Sequence, residues 1–361
     1  MKKICFVLFA AIALIAAIPA GPAIAAPCLE VTLTGTMGGP PTFNGLAGAG
    51  TLVRYGDDSN DCNDVKLQFD AGRGTNVRLS QLGIMPNQLK AIFFTHIHSD
   101  HTDGFGDIMQ QRWHFLGAPL DVVCAADAAS PAGHTMSCTD LAANIGDAFI
   151  ASGEIAQRRA ENAARNPAGP AALTNVMAFT PGAAPALVWS SGDVTVWAIK
   201  SNHIPGHASY QVITPAGTVV IGGDASNDIT DPSMRAFSTS EQVELLAANA
   251  DILVHSTIHP VMGPAGGSGF PPPVFNRQST ATDIGAMAQR AGIKRVMLTH
   301  LIPSIGSPSQ GPFPVPGGAL KKRNYKNAVK DGGYRGRISV GTDLLTVRLP
   351  KNKEVRRKHD D

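Results

Sequence analysis

Six residues in the first third of the chain, His96-Ile97-His98-Ser99-Asp100-His101, place three imidazoles and a carboxylate directly behind a short apolar run, Ala91 to Phe94. The run reads as a buried strand. His96 and His98 stand two apart, so on an extended or turning segment both can face one point. Asp100 and His101 follow at the turn and can face a second point close by. Nitrogen and oxygen donors around two neighbouring points form a layout for two metal ions, and this donor set suits zinc. A polar loop with scattered histidines has little use for such spacing at a strand end.

The surrounding chain has the means to support such a site. Its 361 residues are 43% hydrophobic and 16% charged, which describes a globular protein with an ample core. Lys2 and Lys3 precede an apolar run, Ile4 to Ile18, and then small residues ending in Ala23-Ile24-Ala25. This reads as a secretory leader, residues 1–25, cut after Ala25 or Ala26. The run is short of the roughly 20 residues that a membrane span needs, so no stable membrane insertion is expected once the leader is gone. The expected location is periplasmic or secreted. Export changes how the cysteines read. Cys5 leaves with the leader, and Cys28, Cys62, Cys124 and Cys138 remain without metal-ligand spacing. In an oxidising compartment they read as disulfides, and the shorter loops favour Cys28 with Cys62 and Cys124 with Cys138.

Charge argues against a nucleic-acid partner. The formal charge of +2 falls to about 0 when Lys2 and Lys3 are removed, whereas a nucleic-acid enzyme should carry a basic face. Lys321, Lys322, Arg323, Lys326 and Lys330 form one local basic cluster, and a tail over residues 351–361 forms another; both read as solvated surface. The expected partners are a small-molecule substrate and, at most, a second copy in a homodimer.

Strand and helix signals alternate in two similar halves. Strands are expected at Val31 to Gly35, Gly50 to Tyr55, Val65 to Asp70 and Pro119 to Cys124. Helices are expected at Asn76 to Gly83, Gly104 to Phe115 and, as one long stretch, Asp140 to Asn166 before Pro167. After an Ala/Pro/Gly-rich connector come hairpins at Leu187 to Lys200 and Tyr210 to Gly222. A helix from Ser240, the strand Ile252 to His255, a helix Thr282 to Ala291 and the strand Arg295 to Leu298 follow. The last elements are a helix near Lys321 to Lys330 and strands at Ile338 to Val340 and Leu344 to Leu349. The strongest candidate ligands each follow a strand: Thr95-His96, Gly223-Asp224 and Thr299-His300. Sites in layered α/β proteins lie at such strand ends.

The His-x-His-x-Asp-His motif, with Gly222-Gly223-Asp224 and Leu298-Thr299-His300 behind it, resembles the metallo-β-lactamase superfamily. Arg112-Trp113 followed by Ala118-Pro119-Leu120 is similar to the branch of ribonuclease Z and secreted arylsulfatase-like enzymes. The resemblance spans roughly Val31 to Leu349. It implies an α/β fold, an αββα four-layer sandwich of two mixed sheets with helices outside, over residues 28–350. It also implies two zinc ions per chain: one held by His96, His98 and His203, the other by Asp100, His101 and His300, with Asp224 between them. His207 competes with His203 for the middle position. His203, with Tyr210 seven residues on, fits ribonuclease Z, whereas His207 after Pro205-Gly206 fits the glyoxalase-II-like members. One departure is clear: ribonuclease Z has His-Glu where this chain has His255-Ser256.

The implied chemistry is hydrolysis, with a hydroxide bridging the metals attacking an ester-type substrate: a sulfate ester, phosphodiester or lactone. Asp100 is expected to orient the nucleophile and His255 to donate a proton to the leaving group. The alternatives are a β-lactam hydrolase of the same fold and, from another class, a mononuclear iron persulfide-type dioxygenase. The latter would leave half of the ligand set idle.

Overall fold

The computed structural model describes residues 25–229 and 231–350. The expected leader, apart from its last residue, and the basic tail lie outside the described residues. Two seven-stranded mixed sheets pack face to face. The first is built from β1 (Pro27–Gly35), β2 (Gly50–Asp57), β3 (Val65–Phe69), β4 (Ala91–Phe93), β5 (Leu120–Ala125) and β6 (Thr174–Phe179). The second comprises β7 (Ala186–Ser191), β8 (Val194–Lys200), β9 (Ala208–Thr214), β10 (Gly217–Ile221), β11 (Ile252–Ile258), β12 (Arg295–Ile302) and β13 (Arg337–Val340). The last strand, β14 (Thr346–Leu349), returns to the first sheet and pairs antiparallel with β1, Leu349 opposite Leu29. The two halves of the chain are therefore stitched together by the C-terminal strand, a link that the reading in halves does not contain.

Side-chain alternation builds the layers. Along β1, Leu29, Val31 and Leu33 point to one face, as a two-residue period requires. They meet Val196, Tyr210, Val212, Ile221, Val254 and Met297 of the other sheet in the central core. The outer face of the first sheet packs on helices Thr75–Gln81, Phe105–His114 and Cys138–Ala151 through Leu79, Ile108 and Ala142. The outer face of the second packs on Glu241–Leu246, Ala281–Arg290 and Lys322–Asp331 through Val243, Ile284 and Tyr325. This is the expected αββα sandwich.

The long helix expected from Asp140 to Asn166 is instead two, Cys138–Ala151 and Glu154–Glu161. Gly153 separates them at φ +82°, a left-handed conformation that ends one helix and opens the next. Both expected cysteine pairs are bonded, with Cα separations of 5.4 Å for Cys28–Cys62 and 6.4 Å for Cys124–Cys138. The second closes a loop of 14 residues' separation, which in the chain-entropy picture stabilises by about 3 kcal/mol. Among the described residues, no helix is long and apolar enough to cross a membrane.

Parallel pairing brings several strand ends to one edge. β3, β4 and β5 run parallel, as do β10, β11 and β12. Their C-terminal ends therefore open on the same side of the sandwich. Immediately beneath that edge the Tyr210 hydroxyl donates to the Phe94 carbonyl at 2.7 Å, tying the second sheet to the first one residue before Thr95. Phe69 stacks on Phe93 at 4.6 Å between ring centres and completes a rigid floor.

Candidate metal centre

The motif loop leaves β4 and turns at once into a four-residue helix, Ser99–Thr102, with His98 at its N-cap position. His98 stays extended at ψ 150° while Asp100 and His101 enter the helix. The change of backbone direction is what aims the four side chains at two points. The turn also passes tightly under its neighbours: a Cβ on Gly72 would lie 2.2 Å from the Asp100 carbonyl oxygen, and one on Gly48 2.6 Å from it. Only glycine permits that approach.

Two clusters of donors result. His96 Nε2 lies 2.9 Å from His98 Nδ1, and His203 Nε2 lies 3.4 Å from the same His98 nitrogen. Two nitrogens bound to one zinc at about 2.1 Å in tetrahedral geometry sit about 3.4 Å apart. In the second cluster, His300 Nε2 is 3.0 Å and His101 Nε2 3.7 Å from Asp100 Oδ2. Asp224 reaches both clusters: its Oδ1 is 3.5 Å from His101 Nε2, and its Oδ2 is 3.3 Å from His300 Nε2 and 3.8 Å from His203 Nε2. His96, His98 and His203 could hold one ion, and Asp100, His101 and His300 another.

Burial is nearly complete, with His101 1%, Asp224 2%, His300 2% and His96 3% exposed; His98 alone is half-buried and marks the open side. His101 Nε2 and Asp224 Oδ1 are buried without a hydrogen-bond partner. Orphaned donor atoms in a dry site are costly unless something binds them, so the residues fit a metal centre. A cavity of about 20 Å³ bounded by Asp70, His101, Asp224 and His300 has room for a single water-sized guest. A cavity of about 880 Å³ lies elsewhere, against Met85, Trp113 and Phe149, and touches none of these ligands.

The electrostatics divide the histidines. Burial holds His96 well below its ordinary range, helped by the charges of His101 and His203. Burial also lowers His203 to about 4, against the pull of Asp224 and the Arg277 carbonyl. Burial opposes protonation of His101 as well, but Asp224, Asp70 and Asp100 outweigh it and raise its pKa well above normal. His300 is raised by Asp224 and Asp100 over the same burial cost. Asp100 and Asp224 are held far below the carboxylate range: burial opposes this, and the neighbouring imidazoles His101 and His300 prevail.

His203 and His207 occupy different places. His203 Nδ1 donates to the Arg277 carbonyl at 2.9 Å, which turns Nε2 toward His98. His207 Nδ1 pairs with Ser201 Oγ at 2.8 Å, while its Nε2 lies under Gly223 without a partner. The structure thus gathers His203, and not His207, with His96 and His98.

Two expectations about strand ends change. His300 does not follow its strand; β12 runs on to Ile302, and His300 is a bulge within it. Ser256 pairs with Thr299 and Thr257 with Leu301, skipping His300, whose φ is +44°. A bulge re-aims a side chain that the regular pleat would send elsewhere. His255 likewise does not end its strand, because β11 continues to Ile258. It is fully buried beneath Gly222, its Nδ1 donating to the Ser256 carbonyl at 2.7 Å and its Nε2 without a partner.

Several supporting residues escaped the sequence reading. Asp70 is one, although its place at the end of β3 is the same signal that marked the candidate ligands. Gln278 is another: its Nε2 donates to Asp224 Oδ2 at 3.3 Å. Nothing in a lone glutamine before Ser279-Thr280 announces that role.

The model of the metallo-beta-lactamase superfamily matches residues 66–118, the stretch from β3 through the motif helix. Ribonuclease Z of Mycobacterium bovis (strain BCG / Pasteur 1173P2) is 28% identical over 327 residues, 89% of this chain and 98% of that protein. Among solved structures, the metallo-beta-lactamase fold protein YhfI from Bacillus subtilis superposes with a TM-score of 0.58 at 18% identity, covering 89% of this chain and 99% of that one. The short form of human tRNase Z gives 0.56 at 17% identity, covering 89% and 100%. Fold, motif and clustered donors agree: the chain has the metallo-β-lactamase fold, matches that superfamily's model over residues 66–118, and is a metal-dependent hydrolase.

Proposed function

We propose that the protein is an exported binuclear zinc hydrolase acting on a small ester-type substrate, with phosphodiesters and sulfate esters ahead of lactones. The observation that carries this reading is the position of Asp224, whose two oxygens reach both donor clusters. A mononuclear iron dioxygenase would need only one cluster and leaves Asp100, His101 and His300 unexplained. The relatives named ribonuclease Z support phosphodiester chemistry. The two disulfides, the near-zero charge after leader removal and the apolar leader support export and a small substrate instead of RNA.

When bound, two zinc ions would supply a water activated at neutral pH and positive charge for the transition state. The chain's own groups do the rest. The Arg277 carbonyl fixes the tautomer of His203, and Asp70 fixes that of His101. Gln278 steadies the Asp224 carboxylate, which would lie between the two ions. Asp100 stays ionised and can accept a hydrogen bond from the attacking water, holding its lone pair toward substrate. His255, beneath Gly222, is the proposed proton donor to the leaving group.

The test is elemental analysis of the purified protein followed by a screen of zinc-loaded enzyme against sulfate ester, phosphodiester, lactone and β-lactam substrates. Two zinc equivalents and turnover of an ester class are expected. One tightly held iron with intact activity would sink the proposal, and turnover of β-lactams alone would replace the substrate class.

A further inference from the structure

One cation beside the donor clusters has no assigned partner. Arg277 lies in the segment between helix Pro272–Phe275 and helix Ala281–Arg290. Its backbone is fixed on every side. Its carbonyl takes the His203 Nδ1 proton at 2.9 Å, and the carbonyl of Asn276 accepts from Arg235. Gln278 donates to Asp224, and Ser279 Oγ donates to the Ala225 carbonyl at 2.6 Å. The side chain therefore starts from a rigid point within one residue of two groups that contact Asp224 or His203.

That side chain is not used by the fold. Its Nε is buried and has no hydrogen-bond partner. Among the described residues, no carboxylate lies within ion-pair distance of the guanidinium and no side-chain or backbone oxygen accepts from it. Arg112, by contrast, spends its guanidinium on four backbone carbonyls, those of Ala118, Pro86, Leu89 and Pro119. The Arg277 side chain leaves the backbone at the residue whose carbonyl holds His203, directly beside the ligand set. His98 is the half-exposed member of the set, and Arg277 is half-buried as well. A half-buried guanidinium with vacant donors is costly to keep unless a ligand satisfies it. A planar fork of N–H groups matches the paired oxygens of a tetrahedral oxyanion.

We infer that Arg277 is a substrate-binding residue that holds a non-bridging oxygen of an anionic phosphate or sulfate ester at the mouth of the metal centre. The inference rests on the proposed hydrolase reading and narrows it: neutral lactones and carboxylic esters would leave the guanidinium unpaired. No bond is made or broken at Arg277; it orients the ester and compensates its charge.

The experiment compares wild type, Arg277→Gln and Arg277→Lys, each loaded with zinc and matched for metal content and thermal midpoint. Binding of inorganic phosphate and of inorganic sulfate is measured by calorimetry. Kinetics are measured with bis(4-nitrophenyl) phosphate, 4-nitrophenyl sulfate and neutral 4-nitrophenyl acetate. Arg277→Gln is expected to weaken binding of at least one oxyanion, and kcat/KM for its ester, by about 10- to 100-fold through KM, with Arg277→Lys in between. The acetate should lose no more than about threefold, a difference that a general loss of order would not produce. The stronger of the two oxyanions identifies phosphate or sulfate as the natural group. Equal oxyanion affinity in wild type and Arg277→Gln would overturn the inference, as would loss of zinc in Arg277→Gln. Absence of turnover in all three proteins, with oxyanion binding still dependent on Arg277, would count against the hydrolase reading and leave the subsite standing.

Discussion

His101 Nδ1 lies 2.9 Å from Asp70 Oδ2, and the same carboxylate takes the Thr95 backbone N–H and hydroxyl, each at 2.8 Å. One side chain thereby fixes the start of the motif loop and the tautomer of its last histidine. Asp70 sits at φ +52°, a backbone position maintained at some cost. Asp70→Asn keeps the shape and removes the charge. It should weaken zinc binding by about 10- to 100-fold, the usual effect of losing a partner behind a metal-bound histidine. A competition titration with a chromophoric chelator reads this directly; unchanged affinity would show that Asp70 serves only the loop.

Proton release should accompany metal uptake. In the metal-free protein the raised pKa values of His101 and His300 hold both imidazoles protonated to higher pH than an ordinary histidine. Each must lose its proton to offer a lone pair, so zinc affinity should fall as pH falls and protons should appear in solution on binding. His96 and His203, held low, contribute none. Calorimetric titration at pH 7 in two buffers of different ionisation heat should show net proton release on zinc binding. A value of zero would mean that these histidines are already neutral.

The two neighbouring histidines should separate on substitution. His203→Ala removes a nitrogen 3.4 Å from His98 Nδ1 and should lower bound zinc. His207→Ala removes a ring that faces Gly223 and Ser201, and should alter turnover or stability with metal retained. Elemental analysis of both variants decides; the reverse pattern would assign the middle position to His207.

His255 is tested by leaving group. If it donates a proton, His255→Ala should reduce kcat by about 100-fold for alkyl esters, whose leaving group needs an acid. It should matter far less for nitrophenyl esters. Its Nδ1–H already donates to the Ser256 carbonyl, so only Nε2 can serve, and it must first take up a proton, for instance from the attacking water, against burial that lowers its pKa. Equal losses for both classes would make His255 a packing residue beneath Gly222.

The seven candidate ligands come together in space; most were legible as a compact motif or a strand end that parallel pairing delivers to one edge, although His300 lies inside its strand. The helix break at Gly153 was not, because a single glycine inside an alanine-rich periodic stretch carries little local signal. Arg277 and Gln278 were hidden for a different reason. Their importance comes from the path that brings residues 276–280 against Asp224 and His203, more than fifty positions earlier in the chain. The bulge at His300 was invisible too, since the strand was read as ending at Leu298 and nothing local announces that pairing resumes at Leu301.

That bulge also separates what the sheet needs from what the site needs. Leu298 and Leu301 both face the helices outside the second sheet, although an uninterrupted strand would put residues three apart on opposite faces. The parity is restored only because His300 is skipped. Deleting His300 outright would leave Thr299 and Leu301 consecutive, opposite Ser256 and Thr257, in a regular ladder with every apolar side chain still on its own face. It would also remove a non-glycine residue from positive φ, a strain of about 1–3 kcal/mol. The deletion variant should therefore unfold at a higher temperature than the metal-free wild type while losing the second ion. His300 is a residue the architecture could dispense with, kept in a position where the chain is locally one residue too long.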